Sequence, residues 1–184
     1  QVPTPAIALD AFQDCDTVGI TRPIVKHNFL VKDVRELALT MKKAFHIART
    51  GRPGPVVVAL PEDMLTDRAL VSDATAFEPV EIWPGLTDMS RLQKMLWAAK
   101  RPIALIGGSR WSEAASAAMM RFAERFALPV ATTFRRAHLF DALHPCYAGD
   151  FGIGPNPKLL ARVKGADLVL LIGDRMSEMS SQSY

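Results

Sequence analysis

Three runs in this 184-residue chain, 56–60, 103–106 and 168–172, are apolar at every position. A strand with one wet face alternates apolar and polar residues, so a run without alternation needs cover on both faces. Each run follows a stretch with helical spacing and is bounded by Gly or Pro. Fully covered strands alternating with helices belong to an α/β fold with a doubly wound, Rossmann-like parallel sheet.

The first such pair is a helix over 33–50 and a strand over 56–60. Asp33 is the expected N-cap, and Glu36 three residues on would complete an Asp variant of the capping box. Val34, Leu37, Ala38, Met41, Ala44, Phe45 and Ala48 form one apolar stripe. Gly51 is the expected stop, Pro53, Gly54 and Pro55 exclude helix, and Pro61 ends the strand. Residues 61–85 carry several prolines and acids without a sustained period, as a linker would. Beyond it the spacing predicts a short helix from about Thr87, then a strand over 103–106, a Gly107-Gly108-Ser109 turn, a helix over 113–127 and a strand over 130–133. The "YAGDFGIGPNP" stretch (147–157) reads as a loop. Pro157 then opens a helix that Gly165 stops, before the strand over 168–172.

Composition narrows the function classes. Lys plus Arg number 22 against 19 Asp plus Glu, a net charge of +3, which is too small and scattered for a nucleic-acid footprint. No apolar run approaches the roughly 20 residues of a membrane span, and no charged-then-apolar leader opens the chain. Two distant cysteines, Cys15 and Cys146, do not make a disulfide scaffold. The expectation is a soluble cytoplasmic protein. An opening on Gln1 and a close shortly after a buried strand further suggest a piece of something longer.

Several residues invite chemistry. The Gly-Gly turn ahead of a helix would suit a phosphate, although its spacing is not G-x-G-x-x-G and such turns also serve packing alone. A plain NAD site would place an acid after the next strand, where Arg135 and Arg136 stand instead; they suit either a phosphate or solvent. His138, His144 and Cys146 match no zinc spacing. Ser109 lacks the closing glycine of a nucleophile elbow. Cys15 lies between Asp14 and Asp16, whose charges oppose a thiolate.

Six segments, in order, resemble the thiamine-diphosphate (ThDP) enzyme family, of the acetolactate-synthase large-subunit type. They are AFQD (11–14), GITRPIVKHNFLV (19–31), TGRPGPVVVALPEDM (50–64), RPIALIGGS (101–109), LPVATT (128–133) and ADLVLLIGDR (166–175). The resemblance implies that 1–63 end a pyrimidine-binding domain, 64–86 are a linker, and 87–184 are a central domain truncated at its C-terminal end. It implies a parent enzyme using ThDP and Mg²⁺ on a small 2-keto acid, as a homodimer or homotetramer, with no nucleic-acid or membrane partner. The family's catalytic glutamate and its GDG…N motif are not in the chain, so no catalytic residue and no metal ligand is assigned to it. Phe12 and Gln13 would border the active site, and Lys26 would lie near the substrate entrance. Arg22, Gly107, Gly108, Thr133, Phe134, Gly173 and Arg175 match positions that line an FAD or ADP site. The pattern departs from the family at Phe151-Gly152, where a His-Gly pair is usual, and at Glu178-Met179, in place of an acidic-arginine pair. Taken without the resemblance, the residues leave two other readings: a nucleotide-binding or purely scaffolding module, and an NAD dehydrogenase that lacks its ribose acid.

Overall fold

The computed structural model describes residues 2–184. The chain divides between Ile82 and Trp83 into two compact units.

In the first unit, helix α1 (Thr17–Thr21) starts where the Asp16 carboxylate accepts the Gly19 N–H at 2.8 Å. Strand β1 (His27–Leu30), helix α2 (Leu37–Arg49) and strand β2 (Val56–Ala59) follow, and β1 and β2 pair in parallel from His27–Val56 to Leu30–Ala59. The helix begins later than its apolar stripe suggests. Asp33 accepts the Arg35 N–H and opens a single 3₁₀ turn, Val34–Glu36, before α2. Glu36 makes no capping bond, so the box does not form; the Arg35 guanidinium holds the Asp33 carboxyl down at about 2. Gly51 does stop the helix, at φ +58°, where a left-handed residue suits glycine.

Burial of β2 on both faces is not observed. Val56, Val57 and Val58 are half-buried and only Ala59 is buried, because the sheet of this unit has two strands. Beyond the 3₁₀ turn Glu62–Leu65, residues 67–85 have no regular structure.

The second unit contains helix α3 (Leu86–Ala98), strand β3 (Pro102–Ile106), helix α4 (Glu113–Arg125) and strand β4 (Val130–Thr133). Strand β5 (Tyr147–Phe151), helix α5 (Pro157–Lys164), strand β6 (Leu168–Ile172) and the short helix α6 (Glu178–Ser181) complete it. All four strands are parallel, in the order β5-β4-β3-β6. Alternate residues of β3 serve two cores. Ala104 and Ile106 pack with Met119 and Ala123 of α4, while Ile103 and Leu105 pack with Leu159 of α5 and Phe151 of β5. Ile103 to Ile106 are 0% exposed, which is why this strand has no polar position. The cover expected for the run 168–172 is not observed: β6 is an edge strand paired with β3 alone, and Leu168 to Ile172 are half-buried throughout.

The start of β3 is tied to β6. Asp167 accepts the Lys100 and Arg101 N–H groups at 2.7 and 2.9 Å, and the Arg162 guanidinium donates to the Arg101 and Pro102 carbonyls at 2.9 and 2.7 Å.

The stretch expected to be a loop contributes strand β5. Ala148, Gly149 and Asp150 carry little β propensity, and the strand exists because β4 offers an edge to pair with. The pairing slips between Val130 and Ala131, leaving Ala148 as an extra residue, and Gly149 takes φ +118° beside it.

Candidate functional site

The connection from β3 runs through α4 to β4 and β5, and returns through α5 to β6 on the other side of β3. The carboxyl ends of β3 and β6 therefore flank the switch point, where ligands of such sheets bind. Gly107 and Gly108 leave β3, Gly173, Asp174 and Arg175 leave β6, and Thr133 and Phe134 leave β4. Four of the residues singled out in the sequence, Gly107, Gly108, Thr133 and Gly173, meet here.

They meet by touching one another. A Cβ on Gly107 would overlap the Thr133 hydroxyl, and one on Gly108, at φ +72°, would overlap the Gly173 carbonyl. The Thr133 hydroxyl, 1% exposed as a residue, donates to Asp174 Oδ2 at 2.6 Å, and the Arg175 N–H donates to Asp174 Oδ1 at 2.8 Å. The Trp111 indole N–H donates to the Gly107 carbonyl at 2.7 Å. The sequence reading missed Asp174 and Trp111. Their one signal was an acid and an indole, each within four residues of a glycine turn.

The remaining candidates spread out. Arg135, at φ +60°, stacks its guanidinium 4.9 Å from the Phe134 ring centre, while Arg136 turns into an open groove with His138, Ser109 and Ser112 at the start of α4. The Ser112 hydroxyl caps that helix on the Ala115 N–H at 3.1 Å. Phe151, where the resemblance implies a histidine, is 1% exposed and belongs to the core beneath β3. His144 is engaged elsewhere. Its Nδ1 accepts the Cys146 N–H at 3.1 Å and its Nε2 lies 3.2 Å from Glu124 Oε1. Among the described residues, no group of three His, Cys, Asp or Glu is placed to hold a metal. No helix among them is long and apolar enough to cross a membrane.

Within the first unit, Phe12 is 91% exposed, Gln13 is exposed at φ +67°, and Arg22 is exposed at the end of α1. Lys26 is not a free cation. Its Nζ donates to the Thr50 and Arg52 carbonyls, and its stem packs 3.1 Å from where a Gly54 Cβ would lie. The ammonium thus closes the C-terminal end of α2, where a positive charge is favoured. Cys15, exposed, edges an apolar cavity lined by Val2, Val18, Leu30 and Ala59 at the carboxyl ends of β1 and β2.

Comparison with known proteins gives a consistent result. Residues 89–184 match the family model described as thiamine pyrophosphate enzyme, central domain. The chain is 32% identical over 190 residues to the acetolactate synthase large subunit of Haemophilus influenzae, covering 100% of this chain and 33% of that protein. It is 32% identical over 197 residues to the acetolactate synthase isozyme 3 large subunit of Escherichia coli, again covering 100% and 33%. It is 34% identical over 186 residues to the probable acetolactate synthase large subunit of Methanocaldococcus jannaschii, covering 97% of this chain and 31% of that one. The chain thus spans about a third of the length of the curated relatives it matches.

Proposed function

The chain belongs to the thiamine pyrophosphate enzyme family, and from that premise we propose that the whole protein is a ThDP-dependent carboligase or decarboxylase of the acetolactate-synthase type. The observation that carries this reading is similarity to acetolactate synthase large subunits along 97–100% of the chain. On this reading, residues 1–63 end the pyrimidine-binding domain, 64–86 link, and 87–184 form most of the central domain.

ThDP would supply the electron sink for decarboxylation of a 2-keto acid, with Mg²⁺ anchoring its diphosphate. This segment has, among its described residues, no GDG tripeptide and no group of three His, Cys, Asp or Glu placed to hold a metal. Its residues position and enclose. Phe12 offers a bare aromatic face and Gln13 an exposed amide to an active-site border. Lys26 shapes the entrance by holding the 50–54 loop on two carbonyls. Active sites shared between subunits make a homodimer or homotetramer part of the proposal. Exposed Phe12, Ile20 and Ile24 are apolar surface that a partner would cover.

The test is ThDP- and Mg²⁺-dependent CO₂ release from pyruvate by the full-length protein. A panel of 2-keto acids that yields none overturns the reading. Residues 1–184 alone are expected to release no CO₂.

A second reading, binding of an ADP-containing nucleotide by the central domain, has one supporting feature: the groove holding Arg136 and His138 at the start of α4. Calorimetric titration with ADP tests it, and a flat isotherm leaves the unit a scaffold.

A further inference from the structure

A flavin dinucleotide at the glycine turns would need three things: backbone free to approach, donors aimed at phosphate oxygens, and a local field that accepts negative charge. Where the turns after β3 and β6 meet, the switch point offers none of them; Gly108 opens on its other side onto the groove that Arg110 and Arg136 line. Gly107, Gly108 and Gly173 bring the turns after β3 and β6 into mutual contact, so the space their missing Cβ atoms leave is filled by protein. Two donors beside the turns, the Thr133 hydroxyl and the Arg175 N–H, already share one carboxylate, that of Asp174. The Gly107 carbonyl is covered by the Trp111 indole.

We infer that Asp174 is a built-in anion: its carboxylate takes the seat and the donors that a cofactor phosphate would use, and so makes this central domain flavin-free. The inference rests on the proposed family alignment of these turns with an FAD site and reverses its outcome. A diphosphate brought to the turns would displace Asp174 from Thr133 and then sit beside its charge, and like charges at that spacing repel.

The experiment uses the full-length protein. Purified wild type is expected to show no flavin absorbance in the visible and a flat calorimetric titration with FAD. Asp174→Ala, which removes the anion and frees Thr133, is expected to bind FAD at least about tenfold more tightly, about 1.4 kcal/mol. Asp174→Asn keeps an acceptor for Thr133 without the charge, guards against misfolding of the first variant, and is expected to shift affinity in the same direction. Flavin that copurifies with wild type, or equal FAD affinity in wild type and both variants, overturns the inference. Absence of binding by all three also overturns the role given to Asp174, since the glycine contacts would then suffice. ThDP-dependent CO₂ release from the same preparations reports separately on the proposed reaction.

Discussion

Strands β2 and β3 begin from nearly the same kind of sequence, Val56-Val57-Val58-Ala59 and Ile103-Ala104-Leu105-Ile106, and reach different environments. Ile103 to Ile106 of β3 are 0% exposed, between two neighbouring strands and two helix-backed cores, whereas the three valines of β2 stay half-buried in a two-stranded pair. An unbroken apolar run therefore states what a strand requires, and the number of neighbours decides how much of that is met.

The largest effect expected from this contrast is in the cores. Leu105→Ala should destabilise the second unit by about 2–5 kcal/mol, the range for emptying a packed site. Val57→Ala should remove about 1 kcal/mol, roughly half the transfer value of a fully buried valine. Urea unfolding of the two variants reads the difference, and equal losses would break the comparison.

The glycines give the next contrast. Gly51 and Gly108 both have positive φ, +58° and +72°, yet a Cβ at Gly51 meets nothing within 4 Å whereas one at Gly108 overlaps the Gly173 carbonyl. Gly51→Ala should cost about 1–2 kcal/mol, the strain of a left-handed residue alone. Gly108→Ala should cost clearly more and disturb the amide signals of Gly173 and Asp174. A smaller loss at Gly108 than at Gly51 would show that the turns part easily.

The smallest effect is electrostatic. Hydrogen bonds from the Lys100 and Arg101 N–H groups hold the Asp167 carboxyl below its ordinary value of 3.8. Because the folded value is the lower one, the ionised carboxylate stabilises fully above the unfolded value. That contribution is lost as pH falls through the folded value. The stability gap between wild type and Asp167→Asn should therefore be constant near neutrality and narrow on acidification below about pH 4. A gap that widens in acid would reverse the assignment.

Much of the second unit was readable because its elements carry local signals. Pro157 and Gly165 bracket α5, and the apolar runs mark β3 and β6. Strand β5 was not readable, because its pairing comes from β4 and not from its own Ala-Gly-Asp centre. Strand β1 was missed for a similar reason: His27 and Asn28 open it, and only β2 alongside makes them a strand. The glycines of the candidate site were legible as turns, but their contacts were not. Arg135 and Arg136, adjacent in sequence, part company because Arg135 takes a left-handed conformation and stacks on Phe134.

By itself the sequence determined the alternation of helix and apolar strand, the turn positions and the family, since these depend on local propensity and on patterns that survive in order along the chain. Only the tertiary structure decided that Lys26 is held by backbone carbonyls, that Phe151 is core, and that Asp174 occupies the place between Thr133 and the turn after β6. Thr133 and Asp174 stand 41 residues apart, and adjacency at that separation is created by the sheet order.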